Sequence, residues 1–200
     1  MSADPSPQNS VLTDLVQYPA ALVSMAGLLL VSIAVLRYEG RVWWCLVGDM
    51  SPWSSDIWTA HNSQHLLDPY SFTHVLHGVL EFWILSLIFR RVPFAYRMLL
   101  SFALASVWEV AENSPFIIER YRAETISLSY FGDSVLNSVA DILCCAGGFV
   151  LARQLRFWRS LLVFLATETM LLFWIHDSLI VNIIMLIWPI EGIKHWQMSH

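Results

Sequence analysis

Charge is what this chain has least of. Only 14% of its 200 residues are charged, where soluble domains carry about 25%. Positive charge is scarcer than negative, with 11 Lys plus Arg against 16 Asp plus Glu and a formal net charge of −5. No basic arm or stripe is present, which argues against a nucleic-acid partner. Cysteine is limited to Cys45, Cys144 and Cys145, with no metal-binding Cys spacing. Cys144 and Cys145 are adjacent in an apolar helix and cannot easily bridge, so small apolar fillers are the expectation for all three. Neither a P-loop, a dinucleotide fingerprint, a nucleophile elbow nor a His-Glu-x-x-His motif occurs. Nothing marks Ser134 or Ser138 as a nucleophile. The first 17 residues hold no Lys or Arg. The apolar run starting near Ala20 is followed by Leu36-Arg37-Tyr38-Glu39 rather than a small-residue cleavage site. An uncleaved transmembrane helix is expected there.

Apolar residues are abundant, at 56% with a mean hydropathy of +0.56. The fold class expected is all-α: a polytopic membrane helical bundle of five or six spans. It forms a single domain over 1–200 with a flexible N-terminal segment at 1–17. Spans are expected over about 19–36, 71–89, 95–112, 134–152 and 160–176. The stretch 178–190 is short, and reads as an interfacial helix, a re-entrant element or a buried sixth span. Trp43, Trp44, Trp53, Trp58, Trp188 and Trp196 flank or separate the apolar runs and suit an interfacial belt. Arg90 to Arg97 and Arg153 to Arg159 are the short positive segments, so both are expected in the cytoplasm, together with the N-terminus. The cell membrane is the expected location, the inner one in a Gram-negative cell.

Three spans carry ionisable residues at helical spacing, a costly arrangement in lipid. His74, His77 and Glu81 lie on one stripe, Glu81 about 10 Å deeper than His74 at 1.5 Å per residue. Glu109, Glu112 and Asn113 close the third span before Pro115, where the helix is expected to break. Asp133, Asn137 and Asp141 form the third stripe. The orientation set by the arginines brings all three groups to the outer leaflet. His74, His77, Glu81 and Asp133, with Glu109 and Asp141, are candidate ligands of a divalent metal ion. Glu109, Glu112 and Asp141 are the candidate catalytic carboxylates, Glu112 as general base outside the ligand set. Arg120 and Arg122 are candidate contacts for an acidic headgroup, with Asn113 and Asn137 as further substrate contacts.

Plain structural readings stand beside these. Asp133 can cap a helix. Asn113 can cap a turn. Glu112 can be solvated at the boundary. Arg120 and Arg122 can pair with Glu119 or Glu124. His61 and His65, at i and i+4, either cover the site or belong to an amphipathic turn. Glu168 fits a helix-helix hydrogen bond at least as well as catalysis.

Three strings, WEVAENSPFIIERYR at 108–122, YFGDSVLNSVADILCCAGGF at 130–149 and HGVLEF at 77–82, resemble a family of uncharacterised proteobacterial integral membrane proteins known only as a domain of unknown function. So does the tail WIHDSLIVNIIMLIWPIEGIKHWQ at 174–197. The resemblance spans most of the chain from about residue 40 onward and implies no activity. A weaker similarity is to glycopeptide-resistance accessory membrane proteins, with Glu109, Glu112, Asp133 and Asp141 at the matching positions. Two functions follow as expectations. One is a metal-dependent hydrolase acting on a lipid-linked or phosphorylated substrate at the outer leaflet. The other is a non-enzymatic ion- or lipid-binding protein, transport component or assembly factor. The lipid bilayer is the expected partner in both; oligomeric state is open.

Overall fold

A computed structural model of the chain describes residues 11–125 and 127–199. The flexible segment expected at 1–17 falls outside the described residues up to position 10. Its remainder includes a short helix, α1 (Val11–Val16), whose Asp14 pairs with Arg153. Among the described residues the regular structure is helical, apart from one isolated bridge between Trp53 and Leu67. Four helices are long and apolar enough to cross a membrane: α2 (Pro19–Tyr38), α3 (Pro69–Ile88), α4 (Phe94–Glu112) and α6 (Val135–Trp174). Shorter helices follow α4 and α6: α5 (Pro115–Glu124), α7 (Leu179–Ile187) and α8 (Glu191–Gln197). Large apolar side chains such as Leu30, Leu87, Val107, Leu162 and Phe173 point outward. That is the surface of a bundle solvated by lipid rather than water.

Local chemistry sets the helix starts. Asp68 accepts from the Tyr70 and Ser71 amides, Ser71 returns the bond, and Pro69 occupies the first turn, so α3 begins with a complete capping box. Ser114 and Pro115 start α5 with a simpler cap, the Ser114 hydroxyl accepting from the Ile117 amide. Ser134, not Asp133, caps α6, accepting from the Asn137 amide. The capping role expected of Asp133 is therefore taken by its neighbour.

α6 is 40 residues long but not one rod. Arg156 has φ 62° and ψ 172°, and the helix reverses there. α3 registers the turn. Along its first limb α6 meets α3 in parallel, with His74 beside Asp141, Gly78 against Cys145 and Phe82 against Phe149. Along its second limb the order inverts: Trp83 donates to Ser160, whereas Phe72 meets Trp174. The two limbs correspond to the segments expected at 134–152 and 160–176.

α7 is only 9 residues, about 14 Å at 1.5 Å per residue, too short to cross about 30 Å of hydrocarbon. The chain returns instead. His176 stacks on Trp196 at 5.0 Å, and Lys194 of α8 reaches the Ala123 carbonyl on α5. Residues 176–196 thus fold back as a helical hairpin at one end of the bundle. That end also holds the 39–68 and 113–134 connections. The opposite end gathers Arg90, Arg91, Arg97, Arg153 and Arg156, together with α1.

Close helix contact sets the register. A Cβ added at Gly78 would strike the Cys145 carbonyl, and one at Gly148 would strike the Val75 carbonyl. α3 and the first limb of α6 therefore meet backbone to backbone, as small residues allow in lipid. A core of Leu85, Phe94, Phe102 and Phe149 fills the arginine half.

Candidate functional site

One helical turn beyond the Gly78–Cys145 contact, His74 faces two carboxylates. Its Nδ1 lies 3.4 Å from Glu109 Oε1 and its Nε2 lies 3.8 Å from Asp141 Oδ2. All three residues are buried. Glu109 belongs to a second group as well: Glu109, Glu112 and Asp133 each bring an oxygen within 4.8 Å of the others. Glu109 is thus common to two possible ligand sets. Both Glu109 oxygens, Glu112 Oε2 and Asp141 Oδ1 are buried without a hydrogen-bond partner. Such atoms carry a large desolvation cost unless a proton or a cation meets them.

The carboxylates border a cavity of about 270 Å³. Tyr70, His74, His77, Trp108, Glu112, Asp133 and Asp141 form its polar side. Leu179, Ile183, Leu186 and Ile187 of α7 form an apolar wall opposite. Among the described residues no Lys or Arg lines it. Glu112, Asp133 and Asp141 therefore line it with no Lys or Arg among the described lining residues, and Glu109 stands close behind them. Oxygen ligands with one imidazole suit a hard or borderline divalent ion. The residues fit such an ion.

The groups at the membrane boundary carry the same strain. Burial, followed by the neighbouring Asp133 charge, pushes the Asp68 carboxyl up to about 6, against donation from the Tyr70 and Ser71 amides. Burial also pushes Asp133 up to about 6, against hydrogen bonds from Asn113, Tyr130 and Ser63. Tyr130 donates to Asp133 Oδ1 at 3.0 Å. Burial, then the Asp133 charge, raises the Tyr130 phenol, and burial, then Glu112, raises Tyr121. Both phenols remain neutral hydrogen-bond donors.

The expected residues are sorted by this geometry. His74, Glu109, Glu112, Asp133 and Asp141 come together. His77 lines the cavity, its ring 5.6 Å from that of His74, but stands outside both ligand groups. Glu81 does not join them. It accepts from Ser101 Oγ and from Cys145 Sγ, two turns deeper. Shared stripe position does not bring it within reach, because Ser101 and Cys145 meet it first. Asn113 is a clamp: its Oδ1 accepts the Asp133 amide at 2.7 Å and its Nδ2 donates to Asp133 Oδ2 at 2.8 Å. Asn137 is fully buried behind the cavity, its amide atoms unpartnered. Arg120 caps α7, donating to the Leu186 carbonyl at 2.9 Å. A cation there suits a helix carboxy end. Arg122 covers the Phe131 ring at 5.3 Å. Neither arginine lines the cavity. Glu168 accepts the Leu179 and Ile180 amides and so caps the opposite end of α7.

Asp68, Tyr70, Tyr121 and Tyr130 escaped the sequence reading. The Asp68-Pro69 pair carried a capping signal that could have found the first. Tyr70 stands one turn before His74 on the same stripe, a spacing that could have found it; Tyr121 and Tyr130 lie in no polar stripe.

Residues 36–199 match the family described as protein of unknown function DUF2585. The chain belongs to that family. Among its relatives, a UPF0314 protein of Rhizobium meliloti (strain 1021) is 40% identical over 176 residues, covering 88% of this chain and 89% of the relative. One of Paracoccus denitrificans (strain Pd 1222) is 43% identical over 162 residues, covering 81% and 84%. A third, of Agrobacterium fabrum (strain C58), is 40% identical over 172 residues, covering 86% and 87%. No solved structure matches the chain. DUF2585 membership agrees with the resemblance drawn from the 108–122 and 130–149 strings, and brings no chemistry with it.

Proposed function

We propose that this DUF2585 protein is a divalent-metal-dependent hydrolase of the inner membrane, acting on a lipid-linked phosphorylated substrate at the outer leaflet. The observation that carries the reading is Glu109, shared between the His74–Glu109–Asp141 and Glu109–Glu112–Asp133 groups beside one cavity. The arginine end faces the cytoplasm by the positive-inside rule.

The cavity's two sides support the substrate class. The α7 wall offers an apolar surface for a lipid chain, and the carboxylate side offers oxygens for an ion. No guanidinium or ammonium lines the cavity to hold a phosphate. An anionic substrate would be repelled by these carboxylates unless a cation lay between them. A bound divalent ion supplies charge neutralisation and a more acidic water.

The chain's own groups then have distinct tasks. His74, Glu109 and Asp141 would each offer one ligand atom to the ion. Asn113 and Tyr130 orient Asp133. Glu112, at the cavity wall and left free while the His74–Glu109–Asp141 group would hold the ion, is the general base that would take a proton from the attacking water. Tyr70 and Tyr121 donate hydrogen bonds toward the cavity rim.

A non-enzymatic reading, ion or lipid binding without turnover, rests on the same cluster. The aromatic core beneath Glu81 and the capping role of Glu168 favour a closed pocket over a passage. The test is metal analysis of purified protein, followed by phosphate release from a panel of lipid phosphates in detergent. Metal-dependent release, lost in Glu112→Gln with metal retained, is the expected result. Bound metal without release from any lipid phosphate would leave the binding reading. Metal-free, folded protein that still functions in cells would sink the hydrolase and the ion-binding readings and leave lipid binding.

A further inference from the structure

A second group of metal-type ligands lies outside this cavity, in the 39–68 connection between α2 and α3. Cys45 Sγ is 3.6 Å from His61 Nδ1, and His61 Nδ1 is 3.1 Å from His65 Nε2. The three ligand atoms all lie within 4.8 Å of one another. Asp49 Oδ2 stands 3.9 Å from His65 Nε2. Cys45 and His65 are buried, and Asp49 is half exposed.

We propose that Cys45, His61 and His65 form a three-ligand structural zinc site that ties down this connection, with the half-exposed Asp49 beside it, outside the close group, able to swing into the fourth position. Tetrahedral zinc at about 2.3 Å from sulfur and about 2.0–2.1 Å from nitrogen implies S···N edges near 3.5 Å and N···N edges near 3.3 Å. The observed 3.6 and 3.1 Å agree with those edges. The outer contacts agree too. His65 Nδ1 donates to the Ser51 carbonyl at 2.6 Å, which leaves the Nε2 lone pair facing the other ligands. This is how ligating histidines are usually oriented. Asp49 is held in turn, its Oδ1 accepting the Ser51 amide at 2.9 Å and its carbonyl accepting Trp44 Nε1 at 2.7 Å. One thiolate with two imidazoles selects a borderline-soft ion such as zinc over magnesium or calcium.

The connection needs such a tie. Beyond the Trp53–Leu67 bridge it contains no regular structure. Connections of this length are uncommon in compact domains unless something orders them. This one supplies Asn62 and Ser63 to the cavity wall, and Gln64 to the Gly132 carbonyl at 2.8 Å. On binding, the Cys45 thiol releases its proton to solvent as the metal–sulfur bond forms, and both histidines bind neutral.

Without a metal, a proton on His61 Nδ1 shared between His65 Nε2 and Cys45 Sγ would give similar distances. The experiment separates the two. Full-length protein in detergent is prepared without chelator, its zinc is measured, and the metal is exchanged for cobalt(II). About one zinc per chain is expected from this site, with a thiolate-to-cobalt absorption band. Cys45→Ser abolishes the band, and His65→Gln weakens binding at least tenfold. Glu109→Gln leaves the band intact, which distinguishes this site from the cavity. If Cys45→Ser fails to fold, maleimide labelling of wild-type Cys45 decides: protection by zinc, lost on chelation. No thiolate band and no zinc protection of Cys45 would overturn the proposal, whatever happens at the cavity.

Discussion

Gly78 lies against the Cys145 backbone, one helical turn from the pair His74 and Asp141. The offset of 67 positions is the same for both pairs, since 145 − 78 and 141 − 74 agree. A contact with no polar chemistry therefore sets the distance between an imidazole and a carboxylate. Gly78→Ala and Gly148→Ala should push α3 from α6, destabilising by about 1–3 kcal/mol or more and lowering metal content at the cavity. Gly147→Ala, whose added methyl meets nothing within 4 Å, is the neighbouring control. Thermal unfolding in detergent compares the three. Equal behaviour of Gly147→Ala and Gly148→Ala would remove the close-contact account.

Glu81 and Glu109 should behave differently. Glu109→Gln removes the residue shared by both ligand groups and should lower divalent-ion affinity at the cavity at least tenfold. Glu81→Gln retains its Ser101 contact and should change that affinity less than threefold. Isothermal titration with manganese(II) and zinc(II) reads both. Comparable losses in the two variants would bring Glu81 back into the site.

Asp177 gives a pH signature. It is faced by Tyr70 of α3, Glu168 of α6 and Asn182 of α7, and accepts the Ser178 amide. Burial pushes its carboxyl up to about 6, from about 3.9 in an unfolded chain. The raised value means the folded state favours the neutral acid. That contribution is fully present below about pH 4 and is lost as pH rises through about 6. Asp177→Asn keeps a neutral side chain at every pH. Relative to wild type, its unfolding temperature should rise between about pH 4 and about pH 7. A difference that stays constant across that range would count against the assignment.

Arg156 turns α6 back on itself with a backbone conformation that favours glycine. Holding a non-glycine residue there costs about 1–3 kcal/mol. Glycine costs about 0.5–1 kcal/mol more in the unfolded chain. Arg156→Gly should therefore stabilise the protein by about 1 kcal/mol. Chemical denaturation in mixed micelles measures it; a loss of stability would mean that the arginine side chain contributes more than the strain costs.

Much of this molecule was legible in its sequence. Hydropathy located the crossing segments, because lipid demands long apolar runs, and the arginines at 153–159 marked the turn inside α6. Helical spacing found His74, Glu109 and Asp141, because buried charge has few excuses in an apolar helix. What the sequence did not show is which partners the other polar residues would meet. Arg120, Asn113, Glu168 and Glu81 are engaged by α7, Asp133 and Ser101, partners that are distant in sequence or unmarked by any periodic pattern. Asp133 lost its capping role to Ser134 by a single position. The closeness of Cys45 to His61 and His65 was not legible, because they lie 16 and 20 residues further on, in a segment with no periodicity to align them.

The α7 wall is suspended at both ends by residues that take no part in the cavity. Glu168 holds its first amides and Arg120 its last carbonyls. Frame and contents are therefore separable. Exchanges at Ile183, Leu186 or Ile187 can widen or narrow the apolar side without moving the helix or touching a carboxylate. On the proposed reading, members of one family would share the carboxylate half and differ in the apolar group they admit, with selectivity written in nine residues.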